Sequence, residues 1–375
     1  MSMTRRRLGV SPRMRAVARQ LVLYFLLAWL PASLWAQSDR YLADTGPLRI
    51  RDQFLLGIGF LAFDPVSADI VEKGKWQIDL ILTVSNDFAH SDAIQGFLKE
   101  RTQREPLTLE QLRGLEAEDP GRGVFLIDGE HYRTAIAVRR GVGKNLQVEL
   151  VIPMISFQGG VLDSSIENFH DVFSLAQAGR LGVPKNAFEV YVRSAEGELF
   201  VDEDPGLALG DIVVGTKFGL LRESKPRSIE LAGEVLVKLP TGDEETFTGS
   251  GSTDLGFQLL ATKYFRKSCL HASVGLAYLG EMKTLGLDSQ VNPSGMLAYE
   301  RGLGAKNSIL VQATVSQSPF RQLDIEELTR VSTQLTLGYK RVLGKQVLFL
   351  GVTENVVSFN NSPDIGFHVG LTRVF

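Results

Sequence analysis

Ile365-Gly366-Phe367-His368-Val369-Gly370-Leu371-Thr372-Arg373-Val374-Phe375 is the stretch whose reading decides the fold. Ile365, Phe367, Val369, Leu371 and Phe375 share one side of a period-2 pattern. Gly366, His368, Gly370 and Thr372 share the other. Residues two apart on a strand face the same way, so this is a half-apolar strand. A soluble protein that stopped here would leave an exposed sheet edge open to pairing with another chain. A barrel that joins its last strand to its first has no such edge.

Working outward, the same alternation recurs over 75–86, 126–140, 146–157, 210–222, 228–239, 254–265, 269–279, 294–301, 307–316, 331–342, 346–357 and 364–375. The connections alternate long and short. Short ones are 141–145, 223–227, 266–268, 302–306 and 343–345; long ones are 87–125, 158–209, 240–253, 280–293, 317–330 and 356–363. Short turns on one side, longer loops on the other and an even strand number are the habits of membrane barrels. The expectation is an all-β, transmembrane antiparallel up-and-down barrel of about 12 strands. Fourteen strands are possible if Phe54–Phe63 adds a strand, or 188–201 adds a hairpin within the second long loop. Trp76, Phe265, Tyr339 and Phe375 are expected in an aromatic girdle on the short-turn side. Phe157 and Tyr278 are expected in one on the other side.

The opposite end of the chain is consistent with export. Residues 1–20 hold Arg5, Arg6, Arg7, Arg13, Arg15 and Arg19 and no acid, and an apolar run follows from Leu21 to Trp35. A basic start, a short apolar run and a small residue at Ala36 read as a secretory signal peptide over 1–36. The run is short for a spanning helix, which needs about 20 apolar residues. Loss of the six Arg would take the net charge from −3 to −9. Residues 37–74 then form either an extension or a plug entering the lumen, and the barrel occupies 75–375. A mean hydropathy of +0.03 fits neither a helical membrane protein nor a disordered chain. The acidic balance argues against nucleic acid as a partner.

If the apolar faces meet lipid, the other faces line the interior. Charge on the lipid face costs roughly 2–4 kcal/mol at mid-membrane, so the parity is meaningful. The lumen candidates are Asp79, Arg133, Arg139, Glu149, Lys217, Glu230, Glu234, Lys238, His271 and Gln312, with Gln147, Gln258, Tyr264, Gln334 and His368 beside them. They allow two readings: a water-filled passage whose field selects solutes, or charge pairs that brace a narrow closed barrel.

The loops add two helices. Ser164 and Glu167 have capping-box spacing, with Ile166, Phe169, Val172, Phe173 and Ala176 at helical spacing and Gly179 available as a stop. Thr108 and Gln111 suggest a second, shorter helix. The runs Asp202-Glu203-Asp204 and Asp243-Glu244-Glu245 lack calcium-loop spacing and read as solvated tips. The one cysteine, Cys269, excludes an internal disulfide and reads as a small apolar filler. Nothing spaces a nucleophile, a base and an orienting acid recognisably, so no enzyme activity, cofactor or metal site is expected.

Val369-Gly370-Leu371-Thr372-Arg373-Val374-Phe375 resembles the C-terminal signature of bacterial outer-membrane barrels, with Arg373 where an aromatic residue is usual. The resemblance implies that Gly370, Leu371 and Phe375 are read by the barrel-assembly machinery. Three further groups resemble a family of uncharacterised proteobacterial outer-membrane barrels, domain of unknown function 3187. They are Gly46-Pro47-Leu48 with Arg51-Asp52-Gln53, Ile166-Glu167-Asn168-Phe169-His170 with Gly179-Arg180, and Lys238-Leu239-Pro240-Thr241-Gly242-Asp243. The family implies a barrel in the outer membrane of a Gram-negative bacterium, among lipid and lipopolysaccharide; it supplies no substrate. The functional expectation is a narrow channel for a small solute. The alternatives are lateral passage of hydrophobic compounds, or a lipid-acting or structural barrel without a pore.

Overall fold

A computed structural model describes residues 46–118, 122–174, 176–194, 197–202, 206–222, 229–265, 267–357 and 360–375. The expected signal peptide and the first part of the expected extension lie outside them. The strands in chain order are β1 (Trp76–His90), β2 (Val124–Gly143), β3 (Leu146–Gln158), β4 (Glu189–Ser194), β5 (Gly197–Val201), β6 (Gly206–Leu209), β7 (Ile212–Leu221), β8 (Ile229–Leu239), β9 (Asp254–Tyr264), β10 (Ser268–Leu279), β11 (Gln290–Gly302), β12 (Asn307–Ser316), β13 (Ser332–Leu343), β14 (Gln346–Asn355) and β15 (Ile365–Val374).

Twelve of these strands close a barrel. β1, β2, β3 and β7 to β15 pair antiparallel in ring order, and β15 returns to β1 from Gln77↔Val374 to Asn86↔Ile365. Beyond the last ladder pair, Phe375 donates its N–H to Trp76 O at 2.9 Å. The anticipated hairpin at 188–201 does form, as β4 and β5. It pairs only with the outer end of β2, from Val124↔Arg193 to Asp128↔Glu189, and so rides above the ring. β6 likewise pairs only with the outer end of β3. Phe54–Phe63 is no strand; Leu55–Gly57 is a 3-10 turn inside the barrel.

The polarity is inverted relative to a soluble protein. Outward positions carry Leu276, Leu297, Ile309, Val311, Leu337 and Val369, with Val274 reaching 63% exposure and Leu337 58%. Inward positions carry buried Asp79, Arg133, Lys217, Glu234, Glu300 and Lys340. A continuous exposed apolar belt of this kind would aggregate in water. It is the lipid-facing band of a transmembrane barrel. No helix among the described residues is long and apolar enough to cross a membrane. At the short-turn rim, Arg140 stacks on Trp76 at 4.7 Å and Arg373 on Phe375 at 4.6 Å. Arg373 thus stands beside an aromatic ring at a rim where its charge can reach water.

β1 and β2 run well past the belt. Their outer ends, 85–90 and 124–131, are buried on both faces. The outward face there packs under a cap built by α1 (Asp92–Glu100), α2 (Leu109–Glu118) and β4, with Phe88, Ile94, Leu98, Leu112, Leu126 and Tyr191 as its core. α2 begins as its spacing predicts: Gln111 N donates to Thr108 Oγ1 at 3.2 Å, and Thr108 N donates to Gln111 Oε1 at 3.0 Å. α3 (Asp163–Phe173) forms without the expected capping box. Glu167 is drawn away to Arg104 at 2.9 Å and Lys185 at 2.6 Å. The helix ends at Ser174 in the left-handed region rather than at Gly179. Its Phe169, Val172 and Phe173 are exposed.

Candidate functional site: a lumen filled by the N-terminal segment

Residues 46–73 run inside the barrel, up one side and down the other. Neither arm is helix or strand, so its backbone groups need partners from the wall. At the short-turn end of the ascending arm, Gly46 O accepts from Lys340 Nζ at 2.5 Å. Asp52 accepts from Gln334 Nε2 at 2.7 Å, and Leu55 N donates to Asp87 Oδ1 at 3.2 Å near the outer end. The chain turns over there. Arg51 ties the turn by donating to Phe60 O at 2.6 Å and Ile58 O at 3.3 Å. Descending, Leu61 N donates to Asp254 Oδ2 at 2.8 Å, Ala68 N to Thr262 Oγ1 at 3.0 Å and Val71 N to Gln147 Oε1 at 2.9 Å. Lys217 Nζ donates to Ser67 O at 3.0 Å, and Tyr264 holds Asp69.

Each arm is keyed into the wall by one apolar side chain over a pair of glycines. Leu48 lies on Gly338 and Gly351, which face each other across β13 and β14. A Cβ at Gly338 would stand 2.5 Å from Leu48 Cδ1. Phe63 lies on Gly256 and Gly275, where an added Cβ would stand 2.9 and 2.7 Å from its ring. No side chain larger than hydrogen leaves room for the segment at these positions.

The filled lumen has two layers. Its outer half is apolar: Phe54, Leu55, Leu56, Phe60 and Leu61 pack with Phe125, Phe157, Phe247 and Phe320. Phe157, expected in the outer girdle, instead points inward and packs against Phe188 and Phe247, because odd-numbered residues of β3 face the lumen. The inner half is ionic. Arg49 is its hub, meeting Asp64 at 2.8 Å, Asp79 at 3.5 Å and the Glu149 carboxylate. Asp79 also receives Arg139, and Thr372 Oγ1 donates to it at 2.7 Å. Lys217 stands 3.9 Å from Glu234, whose Oε2 accepts from Gln258 at 2.5 Å. A separate ionic cluster stands at the outer end, where Lys238 meets Asp211 at 2.5 Å and Asp254 at 3.3 Å beside the apolar layer. A buried charge needs an opposite charge or several hydrogen bonds, and most here have both.

The sequence-derived candidates fall as follows. Asp79, Arg139, Glu149, Lys217, Glu234 and Lys238 lie buried on the inner face within this network. Glu230 is on the same face of β8, half-buried near the short-turn end. Arg133 is 4% exposed, points inward, and among the described residues meets no carboxylate. Gln312 is fully buried, with neither side-chain atom hydrogen-bonded among the described residues. His271 faces Thr262 Oγ1 at 3.0 Å and Cys269 Sγ at 3.1 Å. His368 sits between Thr83 and Thr353, each at 2.9 Å. Gly370 faces inward, where Phe349 lies across it so closely that a Cβ would overlap the ring. Leu371 and Phe375 are on the outer face.

Sequence reading missed Arg49 and Asp64 and gave Arg51, quoted only within the family motif, no place in the lumen, because none of the three has a periodicity to reveal it. It also missed Glu300 and Lys340, though both have inward parity in recognised strands. Beside the plug's turn is a cavity of about 70 Å³, lined by Phe54, Phe60, Phe63, Met296, Thr314 and Phe320 among others. Above the membrane band, burial and then the nearby Asp202 push the Glu189 carboxyl up to about 7. Burial, reinforced by Asp163 and opposed by Arg180, raises the Asp128 carboxyl well above the usual range.

Among solved structures, the chain is similar to an outer membrane channel from Pseudomonas putida F1 (11% identity, 84% of this chain and 100% of that one, TM-score 0.48). It is also similar to the P. putida toluene transporter TodX (10%, 81% and 89%, TM-score 0.35). A third is the outer membrane phospholipase A of Escherichia coli (10%, 79% and 92%, TM-score 0.33). Likenesses of this strength carry no argument about function. No curated protein matches the sequence. Residues 122–375 match the model of the family described as "Protein of unknown function (DUF3187)", and the chain belongs to that family.

Proposed function

We propose that the protein is an outer-membrane channel for a small solute, closed in this conformation by residues 46–73 acting as a gate. The observation that supports this reading is the ionic layer around Arg49. Over its inner half the segment is held by charge pairs and side-chain hydrogen bonds, which it can exchange for water as it moves; the apolar contacts of Phe54, Leu55, Leu56, Phe60 and Leu61 are the part of the hold that opening must give up. Arg133, a buried cation that makes no salt bridge among the described residues, gives the lumen an anion-attracting point midway once the plug and its Asp64 have moved away. On this reading the wall charges Asp79, Arg139, Glu149, Lys217, Glu230, Glu234 and Lys238 set selectivity once the plug is displaced. Export through a cleaved peptide at 1–36, insertion by the assembly machinery through Gly370, Leu371 and Phe375, and contact with lipopolysaccharide belong to the same reading.

A second reading, lateral passage of an apolar compound, is favoured by the cavity and by the wall beside it. Pairing of β11 with β12 stops at Ser294↔Ser316, and Pro293 has no N–H to offer. Beyond that point one backbone bond, Gln317 N to Pro293 O at 3.0 Å, continues the join. Proteoliposome flux separates the readings. A gated channel passes small hydrophilic solutes faster after removal of 46–71 and slower when the segment is cross-linked to β3. Hydrocarbon uptake without any hydrophilic flux would favour the lateral route; no flux of either kind would reject both.

A further inference from the structure

We propose that Cys269, His271 and Glu300 form a binding site for a borderline-soft divalent cation of the Zn²⁺ class at the short-turn end of the lumen. Strand geometry brings the three together. Cys269 and His271 are two apart on β10 and so share its inner face. Glu300 is the register partner of Cys269 across the β10–β11 ladder. The partner of His271 is Ala298, whose small side chain leaves the imidazole room to turn toward both.

The donors converge. His271 Nε2 lies 3.1 Å from Cys269 Sγ, and Sγ lies 4.0 Å from Glu300 Oε2. All three ligand atoms are within 4.8 Å of one another, and all three residues are buried. One cation between them would meet sulfur, nitrogen and oxygen at once. Ca²⁺ and Mg²⁺ take oxygen ligands, whereas Zn²⁺ accepts this mixture and commonly uses three protein ligands with a fourth position open.

The surroundings resemble an outer shell. His271 Nδ1 is bonded to Thr262 Oγ1 at 3.0 Å, which fixes the ring and directs Nε2 at the thiol. Glu300 Oε1 accepts from Ser308 Oγ at 2.5 Å. Lys340 Nζ, 2.6 Å from Glu300 Oε2, also donates to Gly46 O. A bound cation would therefore share a carboxylate with the lysine that holds Gly46 of the plug. Binding deprotonates Cys269, the thiol proton leaving to solvent. Thiolate and carboxylate then offset the cation's two charges, with neutral imidazole completing the set, while the Lys340 ammonium on the same carboxylate leaves one positive charge in excess, so binding weakens the Lys340–Glu300 pair.

Co²⁺ reports the site directly, because a cobalt–thiolate bond has a near-ultraviolet charge-transfer band and the chain has one cysteine. The untagged chain is refolded with Co²⁺ present, which removes any barrier to entry, and its folding is checked by heat-modifiable mobility. The expected result is a band at one cobalt per chain, displaced by Zn²⁺ and absent from Cys269→Ser. His271→Ala should bind roughly 100-fold more weakly or worse, by analogy with the loss on removing even outer-shell partners. Folded wild-type protein without the band overturns the proposal. So does a band whose affinity is unchanged in both His271→Ala and Glu300→Gln, which would mean adventitious binding to the thiol.

Discussion

Replacing Arg49 by Ala tests the gate at its hub. Arg49 meets Glu149, Asp64 and Asp79, and it is itself 6% exposed. Asp79 keeps Arg139 when Arg49 is gone, but Glu149 loses the cation that faces it. Removing one member of a buried pair costs roughly 3–5 kcal/mol, because the other charge is left uncompensated. That penalty applies while the plug is docked; in an opened lumen Glu149 regains water. The docking equilibrium therefore moves toward the open state by between about 100-fold and a few thousand-fold, at about 1.4 kcal/mol per tenfold. Single-channel recording in a planar bilayer reads this as open probability. Arg49→Ala should open far more often than wild type. Adding Glu149→Gln should recover part of the closure, since the stranded charge is removed. Unchanged open probability in Arg49→Ala, from protein that folds and inserts normally, would refute the reasoning.

Gly338→Leu places a side chain where Leu48 Cδ1 stands 2.5 Å from the would-be Cβ. It should expel the ascending arm and raise conductance while the barrel still shows heat-modifiable mobility. Glu189 carries a folded-state pKa near 7, above its ordinary 4.5, so between those values it is protonated folded and ionised unfolded. The stability of the cap should thus fall as pH rises across that window, by roughly 3 kcal/mol at most. Hydrogen exchange of the β4–β5 amides at pH 5 and pH 8 should show the slope, and Glu189→Gln should abolish it. Phe375→Ala should slow insertion into membranes that contain the assembly machinery, while unassisted refolding into detergent proceeds; equal slowing in both would make Phe375 a folding residue rather than a recognition signal.

The barrel was legible because a strand between lipid and a polar interior must alternate, and Val274, Leu276 and Tyr278 against Ser273, Gly275 and Ala277 do so plainly. Loop lengths carried the topology for the same physical reason: one end of the barrel needs only tight turns. The plug was much less legible. Leu48, Arg49, Arg51 and Phe63 each answer a different feature of the wall, so their order follows the groove they fill and has no period. The hairpin at 189–201 was visible as alternation, but its place above the ring depends on β2 running 20 residues, which alternation alone does not limit. α3 shows a local signal overruled by tertiary contacts, since Glu167 pairs with Arg104 and Lys185 instead of capping. Cys269-x-His271 could have been singled out as two donors on one strand face; Glu300 becomes their neighbour only through the register of β11.

The central claim is that residues 46–73 close an otherwise open passage. The direct measurement compares planar-bilayer currents of the mature chain with those of a chain lacking residues 46–71, both shown to be folded by heat-modifiable mobility. The account predicts rare, brief openings in the first and a steady single-channel current in the second, with anion preference reduced by Arg133→Ala. A folded plug-deleted barrel that carries no current would contradict it and leave the ionic lumen as bracing.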